Sequence, residues 1–226
     1  MKPMRFFAVC VSGCLAVTAL ADLKVTGFGY GMAAGGSRGG EFLVNVNAPV
    51  YDVITAQWLT IPSSFRTFCL EKTETLSVPS PWYDIELSGA ALYNNILNNS
   101  DPVSGKTAYL FCQYWNGGLT IDSDEDGAAF QNAIWYIENE ITNPHDGFVG
   151  NAAVTGRIDY YLGLVAAIQD NDPIGNVRAI NMWDDGGYGQ FGSRRQDLLV
   201  CIPAPAAVVL GMLGIGLVGW AKRRVR

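Results

Sequence analysis

An apolar stripe in the middle of the chain places the strongest constraint on its fold. Five apolar residues recur there at the spacing of one helix face: Phe130, Ala133, Ile134, Ile137 and Ile141. Gln131 lies beside the stripe, one turn before Ile134 and Trp135, so its amide should sit at the stripe's edge. The pattern predicts a core helix that carries a carboxamide at the margin of its buried face.

A cysteine earlier in the chain is suited to react with that carboxamide. Cys69 lies between Phe68 and Leu70 in a strand-like run, where its thiol should be at least partly buried. A sheltered thiolate can attack the carbon of a side-chain amide, expel ammonia and leave an internal thioester. The sequence therefore permits Cys69 as acyl acceptor and Gln131 as acyl donor.

Two short motifs around these residues resemble those of a known family. Phe68-Cys69-Leu70-Glu71 and Gln131-Asn132-Ala133-Ile134-Trp135 are similar to the Cys and Gln-x-Ala-Ile-Trp signatures of bacterial surface thioester domains, over roughly residues 65–135. The resemblance implies an adhesin whose Cys–Gln thioester captures an amine on a target surface. Phe68 and Trp135 are then expected to wall the thioester pocket and exclude water. Because capture is a single covalent event, the protein is expected not to be an enzyme.

The N-terminus has the three parts of a secretory signal peptide, predicted over residues 1–21. Lys2 and Arg5 form the positive region, residues 6–20 the apolar run, and Ala19-Leu20-Ala21 the cleavage site. Val11-Ser12-Gly13-Cys14 resembles a lipoprotein box, but the apolar run continues well past it. Both interpretations place the domain at residues 22–201 outside the cytoplasm.

The C-terminal segment, residues 202–226, resembles the PEP-CTERM sorting signal of Gram-negative bacteria in a Pro-Ala-Pro variant. Pro203, Ala204 and Pro205 precede an uncharged run that continues to Ala221. At ~1.5 Å per residue this run approaches a ~30 Å hydrocarbon core, which predicts a transmembrane helix. A basic cluster follows and is expected to stay cytoplasmic: Lys222, Arg223, Arg224 and Arg226. The resemblance implies transient anchoring, processing by an exosortase, and delivery to the cell surface or the extracellular matrix of a biofilm. A plain membrane anchor is the alternative.

Charge and histidine content exclude several function classes. The net charge is −6, but six of the 15 basic residues lie in the two tails, which leaves nine against 21 acidic residues in the body. Such a body repels phosphate backbones, so nucleic acid is not an expected partner. The single histidine, His145, removes multi-histidine metal sites, and it leaves no Ser-His-Asp or Cys-His site unless His145 itself serves.

Three cysteines remain after the signal peptide: Cys69, Cys112 and Cys201. An odd number in an oxidising compartment leaves one thiol unpaired or engaged in other chemistry. A thioester at Cys69 leaves Cys112 and Cys201 free to pair. The alternative is a Cys69–Cys112 disulfide in a non-covalent structural or glycan-binding matrix protein.

Glycines, aromatic residues and strand-like runs predict a β-rich α+β fold, a single antiparallel sandwich or barrel-like domain with about three helices. Helices are predicted at residues 89–98, 106–115 and 151–169, besides the Gln131 helix with Asp126 as its N-cap. Strands are predicted at residues 24–30, 41–46, 51–58, 66–71, 177–183 and 197–201.

Two surface features suggest ligands. Asp122, Asp124, Asp126 and Gly127 match the first half of a calcium loop, although position 12 falls on Ala133 where a glutamate is needed. A solvated acidic turn before a helix is the alternative, and no other cofactor is expected. The aromatic loops at Trp82-Tyr83 and at residues 183–188 could bind carbohydrate, although core packing is the commoner role of such residues.

Overall fold

The computed structural model describes residues 21–31, 39–74, 76–92, 100–190 and 192–203. The predicted signal peptide up to Leu20 and the predicted sorting segment from Ala204 onward lie outside this part. Within the described residues, no helix has the length and apolar character needed to span a membrane.

The described part contains ten strands. They are β1 (Ala21–Phe28), β2 (Phe42–Val46), β3 (Val50–Asp52), β4 (Gln57–Leu59), β5 (Ser64–Thr67), β6 (Trp82–Ser88), β7 (Ala90–Leu92), β8 (Ser100–Pro102), β9 (Val177–Asp184) and β10 (Arg194–Cys201). Eight of them form one sheet whose main path is β10-β9-β6-β1-β2-β5, antiparallel throughout. Off this path, β3 pairs in parallel with β6, and β4 pairs with β3. β7 and β8 form a separate ribbon.

The sheet curls so that its two ends approach each other. Just after β5, Cys69 forms an isolated antiparallel bridge with Leu198 on β10. The curled sheet is a half-barrel, and this bridge is the seam between its first and last strands. The predicted β-rich α+β class with three helices is confirmed at this level.

Three helices cover one side of the sheet: α1 (Gly105–Trp115), α2 (Asp124–Ile137) and α3 (Ala152–Leu164). Each begins after a side chain that accepts a backbone N–H, namely Ser104, Ser123 and Asn151. The predicted N-cap at Asp126 is wrong, because Ser123 caps α2 and accepts the Asp126 N–H at 3.1 Å. α3 ends at Leu164, five residues before the prediction.

Two further predictions differ from the structure. Residues 90–92 were expected to be helical but form β7, because they pair with β8 and Ala91 packs into the helical core; residues 93–99 lie outside the described part. The predicted single strand at 51–58 is a hairpin, β3 and β4, with Ala56 in its turn at a φ of 54°.

The interior divides into two apolar clusters. The half-barrel cluster is filled by alternate residues of the strands, such as Tyr83, Ile85 and Leu87 of β6. The helical cluster lies between the sheet and the three helices, and Phe111, Phe130 and Ile158 are part of it. Cys69 belongs to the half-barrel cluster, while its neighbours Phe68 and Leu70 belong to the helical cluster.

Candidate functional site

Cys69 lies at the seam of the half-barrel, and its backbone polar groups face away from β10. The hydrogen bonds of the bridge are made by its neighbours: Leu70 N–H donates to the Asp197 carbonyl at 3.0 Å, and Leu199 N–H donates to the Phe68 carbonyl at 3.1 Å. Along an extended chain, successive residues direct their N–H and C=O groups to opposite sides. The N–H and C=O of Cys69 therefore point together toward an open edge.

The side chain of Gln131 fills that edge. Its Oε1 accepts the Cys69 N–H at 3.0 Å, and its Nε2 donates to the Cys69 carbonyl at 2.9 Å. Gln131 is fully buried, and Cys69 is 1% exposed. One carboxamide thus satisfies both backbone groups of Cys69. The structure brings the two residues of the predicted pair into direct contact, 62 positions apart in the chain.

α2 carries Gln131 into the interior because the helix is buried on nearly every side. Phe130, next to Gln131, packs against Phe68 at a ring-centroid distance of 4.7 Å and against Tyr161 of α3 at 5.2 Å. Every residue from Asp126 to Trp135 is buried. The sequence predicted a single apolar stripe; the small residues Gly127, Ala128 and Ala129 let the other faces pack as well.

The Cys69 side chain lies in the half-barrel cluster, beside a carboxyl group. Burial raises the pKa of the Cys69 thiol well above its ordinary value, and Glu71 raises it further, while hydrogen bonds from the Cys69 backbone and the Gln196 side chain partly oppose the shift. The resting thiol is therefore protonated at neutral pH. Gln196 also donates from Nε2 to the Glu71 carbonyl at 2.7 Å, so its side chain links the thiol to the backbone of Glu71.

Two buried carboxyl groups stand next to this site. Glu71 Oε2 accepts the Asp197 N–H at 3.0 Å, and the Asp197 carboxyl accepts from Asn181 Nδ2 at 3.0 Å. Burial raises the pKa of both groups, and Asp197 raises the pKa of Glu71 further. Glu71 Oε1 is buried and has no hydrogen-bond partner among the described residues. A buried carboxyl group with a raised pKa thus lies two residues from the thiol.

A glycine packs directly against Gln131. A Cβ atom at Gly39 would lie 2.6 Å from Gln131 Cγ and 2.2 Å from Trp135 Cη2, so only glycine fits here without displacing one of them. Trp135 is 3% exposed and, like Gln131, lies against Gly39. Phe68 faces the helical cluster instead, against Phe130 and Tyr114.

The other two cysteines lie together, away from Cys69. Cys112 on α1 packs against the helical cluster that contains Cys201. Burial and the neighbouring Cys112 raise the pKa of Cys201 to about 11. All three described cysteines are unbonded thiols. The alternative Cys69–Cys112 pairing is not found, because Cys69 faces the half-barrel cluster.

The acidic run before α2 forms the first turn of the helix. Asp124 accepts the Gly31 N–H at 2.9 Å, and Asp126 accepts the Ser123 hydroxyl at 2.7 Å and pairs with Arg157. Among the described residues, no group of three or more His, Cys, Asp or Glu side chains is arranged to hold a metal ion. The calcium prediction uses the carboxylates of Asp122, Asp124 and Asp126 as ligands. In the structure, those of Asp124 and Asp126 bind other protein groups, and Asp122 is exposed.

An aromatic surface lies on the outside of the half-barrel. Tyr188 packs on Trp183 at 4.8 Å between ring centroids, and its hydroxyl bonds to Glu86. Tyr51 and Trp58 form a second ring pair at 5.5 Å. Trp183 is buried, so of the predicted carbohydrate-binding loop only Tyr188 is available to a ligand. The exposed aromatic residues of these strands and loops are Trp58, Trp82 and Tyr188.

Several parts of the site were not predicted from the sequence. The role of the Cys69 backbone depends on the closure of the sheet at Leu198, which joins residues 129 positions apart. Gly39 and Gln196 carry no local motif, and their contact with the site is visible only once the chain is folded. Glu71 lies within the Cys motif, so its proximity could have been inferred from the i, i+2 spacing of a strand.

No protein-family model, no curated protein and no solved structure matches this chain significantly.

Proposed function

We propose that this chain is an exported cell-surface or matrix protein whose domain forms an internal thioester between Cys69 and Gln131 and uses it to capture an amine. The observation that carries the proposal is the paired hydrogen bond between the Gln131 carboxamide and the Cys69 backbone, at 3.0 and 2.9 Å. The Cys69 thiol is the nucleophile, and the backbone of the same residue binds both the Oε1 and the Nε2 of the Gln131 amide that it would attack.

The hydrogen bond from the Cys69 N–H favours attack at the amide carbon. The Cys69 N–H polarises the Gln131 carbonyl and stabilises negative charge on Oε1 in the tetrahedral intermediate. In an extended residue the side chain projects roughly perpendicular to the direction of its N–H and C=O groups. Rotation about the Cys69 Cα–Cβ bond can therefore bring the sulfur toward a face of the amide, which is the direction that addition to a carbonyl requires.

The reaction is a substitution without oxidation or reduction. The C–S bond forms between Cys69 Sγ and Gln131 Cδ, the C–N bond to Nε2 breaks, and the thiol proton leaves with nitrogen as ammonia. Glu71 is the titratable group closest along the chain to carry that proton. After the loss of ammonia, the Cys69 N–H can still hold the remaining carbonyl oxygen.

Burial protects the product from water. Both residues are 0–1% exposed, and Gly39 and Trp135 pack against Gln131. The raised pKa of the Cys69 thiol also makes its thiolate a poorer leaving group, which slows hydrolysis. An amine that reaches Gln131 Cδ forms an amide bond, and the Cys69 thiol is released. The captured amine remains attached, so the domain acts once and does not turn over.

Localisation follows from the ends of the sequence. The proposal includes a cleaved signal peptide over residues 1–21 and a sorting segment over residues 202–226, whose handling by an exosortase rests on the resemblance of Pro203, Ala204 and Pro205 to the PEP-CTERM motif. A secreted adhesin must present its domain outside the cell, and the last strand of the described domain, β10, ends at Cys201, directly before this segment.

The test is the intact mass of the exported full chain, compared with that of its Cys69→Ala variant. After correction for the substitution, the wild-type protein should be lighter by about 17 Da, the mass of ammonia, and methylamine should then add about 31 Da to it alone. Cys69→Ala is a matched control, because it removes the sulfur and leaves the backbone groups that bind Gln131. Equal corrected masses and no methylamine adduct would refute the thioester.

A second candidate is a non-covalent glycan-binding matrix protein. Two observations favour it: the Gln131 carboxamide completes the sheet edge without any covalent bond, and Trp58 and Tyr188 expose aromatic rings, with the Tyr188 hydroxyl bonded to the Glu86 carboxylate. Calorimetric titration with neutral oligosaccharides should show binding that Trp58→Ala abolishes. No heat of binding across a panel of such sugars would count against this candidate.

A further inference from the structure

Cys112 and Cys201 occupy a second junction between a helix and the sheet. Cys112 lies in the last turn of α1, and Cys201 is the final residue of β10 and is buried. Cys112 packs against the apolar cluster that contains Cys201, and the Cys112 thiol is one of the neighbours that raise the pKa of Cys201. Cys201 is fixed on the sheet side, since it pairs with Val177 on β9 and the following Ile202 N–H donates to the Asn176 carbonyl at 2.8 Å.

We propose that Cys112 and Cys201 form a disulfide in the exported protein, so that these two residues are an oxidative modification site. Each thiol gives up its proton, one S–S bond forms, and two electrons pass to a protein disulfide, which is reduced to a dithiol. The inference rests on the export half of the proposed function, because such an oxidant is found outside the cytoplasm. It does not depend on the thioester.

The position of the bond defines two consequences. It closes a loop between residues 112 and 201 that contains α2, α3 and β9, so it restricts the unfolded chain strongly. It also fixes the end of β10 to α1 two residues before Pro203. A force that pulls on the chain after Pro203 is then carried by α1, through the disulfide, as well as by the hydrogen bonds between β9 and β10.

The bond also removes competing thiols from the proposed thioester chemistry. With Cys112 and Cys201 joined, Cys69 is the one described thiol that stays reduced. A disulfide between Cys69 and either of the others would require Cys69 to leave the half-barrel cluster. The fold therefore separates Cys69 from Cys112 and Cys201 before any oxidant reaches them.

The test is alkylation of the full chain under denaturing conditions, with and without prior reduction, followed by peptide mapping. Cys112 and Cys201 should be labelled only after reduction, and their peptides should be joined in the unreduced digest. Cys112→Ser and Cys201→Ser should each lose the joined peptide and lower Tm by on the order of 10 °C. Free, labelled Cys112 and Cys201 in the unreduced wild-type protein, or a peptide joined to Cys69, would overturn the proposal.

Cys69→Ala separates this proposal from the thioester. The variant should keep the Cys112–Cys201 link even if no thioester forms in the wild-type protein, because the two junctions share no residue. A reduced chain produced in the cytoplasm provides a second control that does not depend on a mutant folding. Oxidised glutathione should join Cys112 to Cys201 in it and leave Cys69 alkylatable; random pairing among the three would contradict the sorting of thiols by the fold.

Discussion

Cys69 and Cys201 are both sheet residues that meet a helix, yet the two junctions hold them differently. At Cys69 the helix offers a carboxamide, which binds the backbone of the cysteine at 3.0 and 2.9 Å. At Cys201 the helix offers a second thiol. The first junction has an acyl carbon and no partner sulfur, whereas the second has two sulfurs.

The difference shows that the group facing each cysteine, a carboxamide or a second thiol, decides which reaction that cysteine can undergo. Both thiols are buried, and burial raises the pKa of each. A thiol beside an amide carbon can undergo substitution, and a thiol beside a thiol can undergo oxidation. The two junctions should therefore respond to different substitutions, and the experiments below are designed to separate them.

The largest expected effect is at the Cys69 junction, in Gln131→Ala. Measured against wild-type protein that still carries the intact carboxamide, the substitution leaves the Cys69 N–H and C=O buried without partners, at about 1–3 kcal/mol each, so the free energy of unfolding should fall by about 4 kcal/mol. Cys69→Ala keeps the paired hydrogen bonds and should cost only about 1–2 kcal/mol in lost packing. Urea denaturation of both variants measures the contrast; equal losses would mean that the carboxamide does not hold the seam.

The second effect is a pH dependence of the free energy of unfolding, caused by Glu138 at the start of α1. Glu138 accepts the Ser104 N–H at 3.1 Å at the start of α1, and burial raises the pKa of Glu138 from 4.5 to about 7. The folded state then binds this proton more tightly than the unfolded state does. Stability should be highest below about pH 4.5 and should fall by about 3 kcal/mol as pH rises to about 7.

Glu138→Gln is the matched variant for this effect, because it keeps an acceptor oxygen and removes the titration. Urea midpoints between pH 4 and pH 8 should fall less steeply in Glu138→Gln than in the wild-type protein. Some slope should remain, since burial also raises the pKa of Glu71 and of Asp197. Parallel curves for the two proteins would show that Glu138 does not titrate in this range.

The third effect is steric and specific to Gln131. In Gly39→Ala the new methyl group would meet Gln131 Cγ and Trp135, so stability should fall by about 2 kcal/mol. The fraction of protein that has lost ammonia and formed the thioester should fall too, because the carboxamide is displaced from Cys69. Gly163→Ala is the control, since its Cβ would meet nothing within 4 Å. An unchanged thioester fraction in Gly39→Ala would remove Gly39 from the site.

The smallest effect is expected at Lys72, just beyond the seam. Its ammonium pairs with Asp146 at 2.5 Å, but the two side chains are 33% and 53% exposed, so solvent screens the pair. Lys72→Ala should leave the urea midpoint and the thioester fraction unchanged within error, since the Lys72 N–H that bonds to Glu140 is kept. A marked loss of either would show that surface charge contributes to the seam.

Local patterns predicted much of this fold. The strands containing Val44, Ile180 and Val200 and the helix containing Gln131 follow from periodicity and turn residues. The error at residues 90–92 came from small apolar residues, Ala90 and Ala91, that favour a helix in isolation but pair with β8 in the folded chain.

The site could be predicted only in part. The pairing of Cys69 with Gln131 was suggested by motifs, and the two residues do meet. The means of contact could not be predicted, because the free N–H and C=O of Cys69 exist only when the sheet closes on Leu198. Long-range closure of this kind leaves no periodic signal in the chain. The partnership of Cys112 and Cys201 was open for the same reason.

The most direct test of the central claim is a high-resolution crystal structure of the domain. The account predicts continuous electron density between Cys69 Sγ and Gln131 Cδ, no density for Gln131 Nε2, and a Cys69 N–H still directed at the remaining carbonyl oxygen. An intact carboxamide with separate density for the Cys69 sulfur would contradict it.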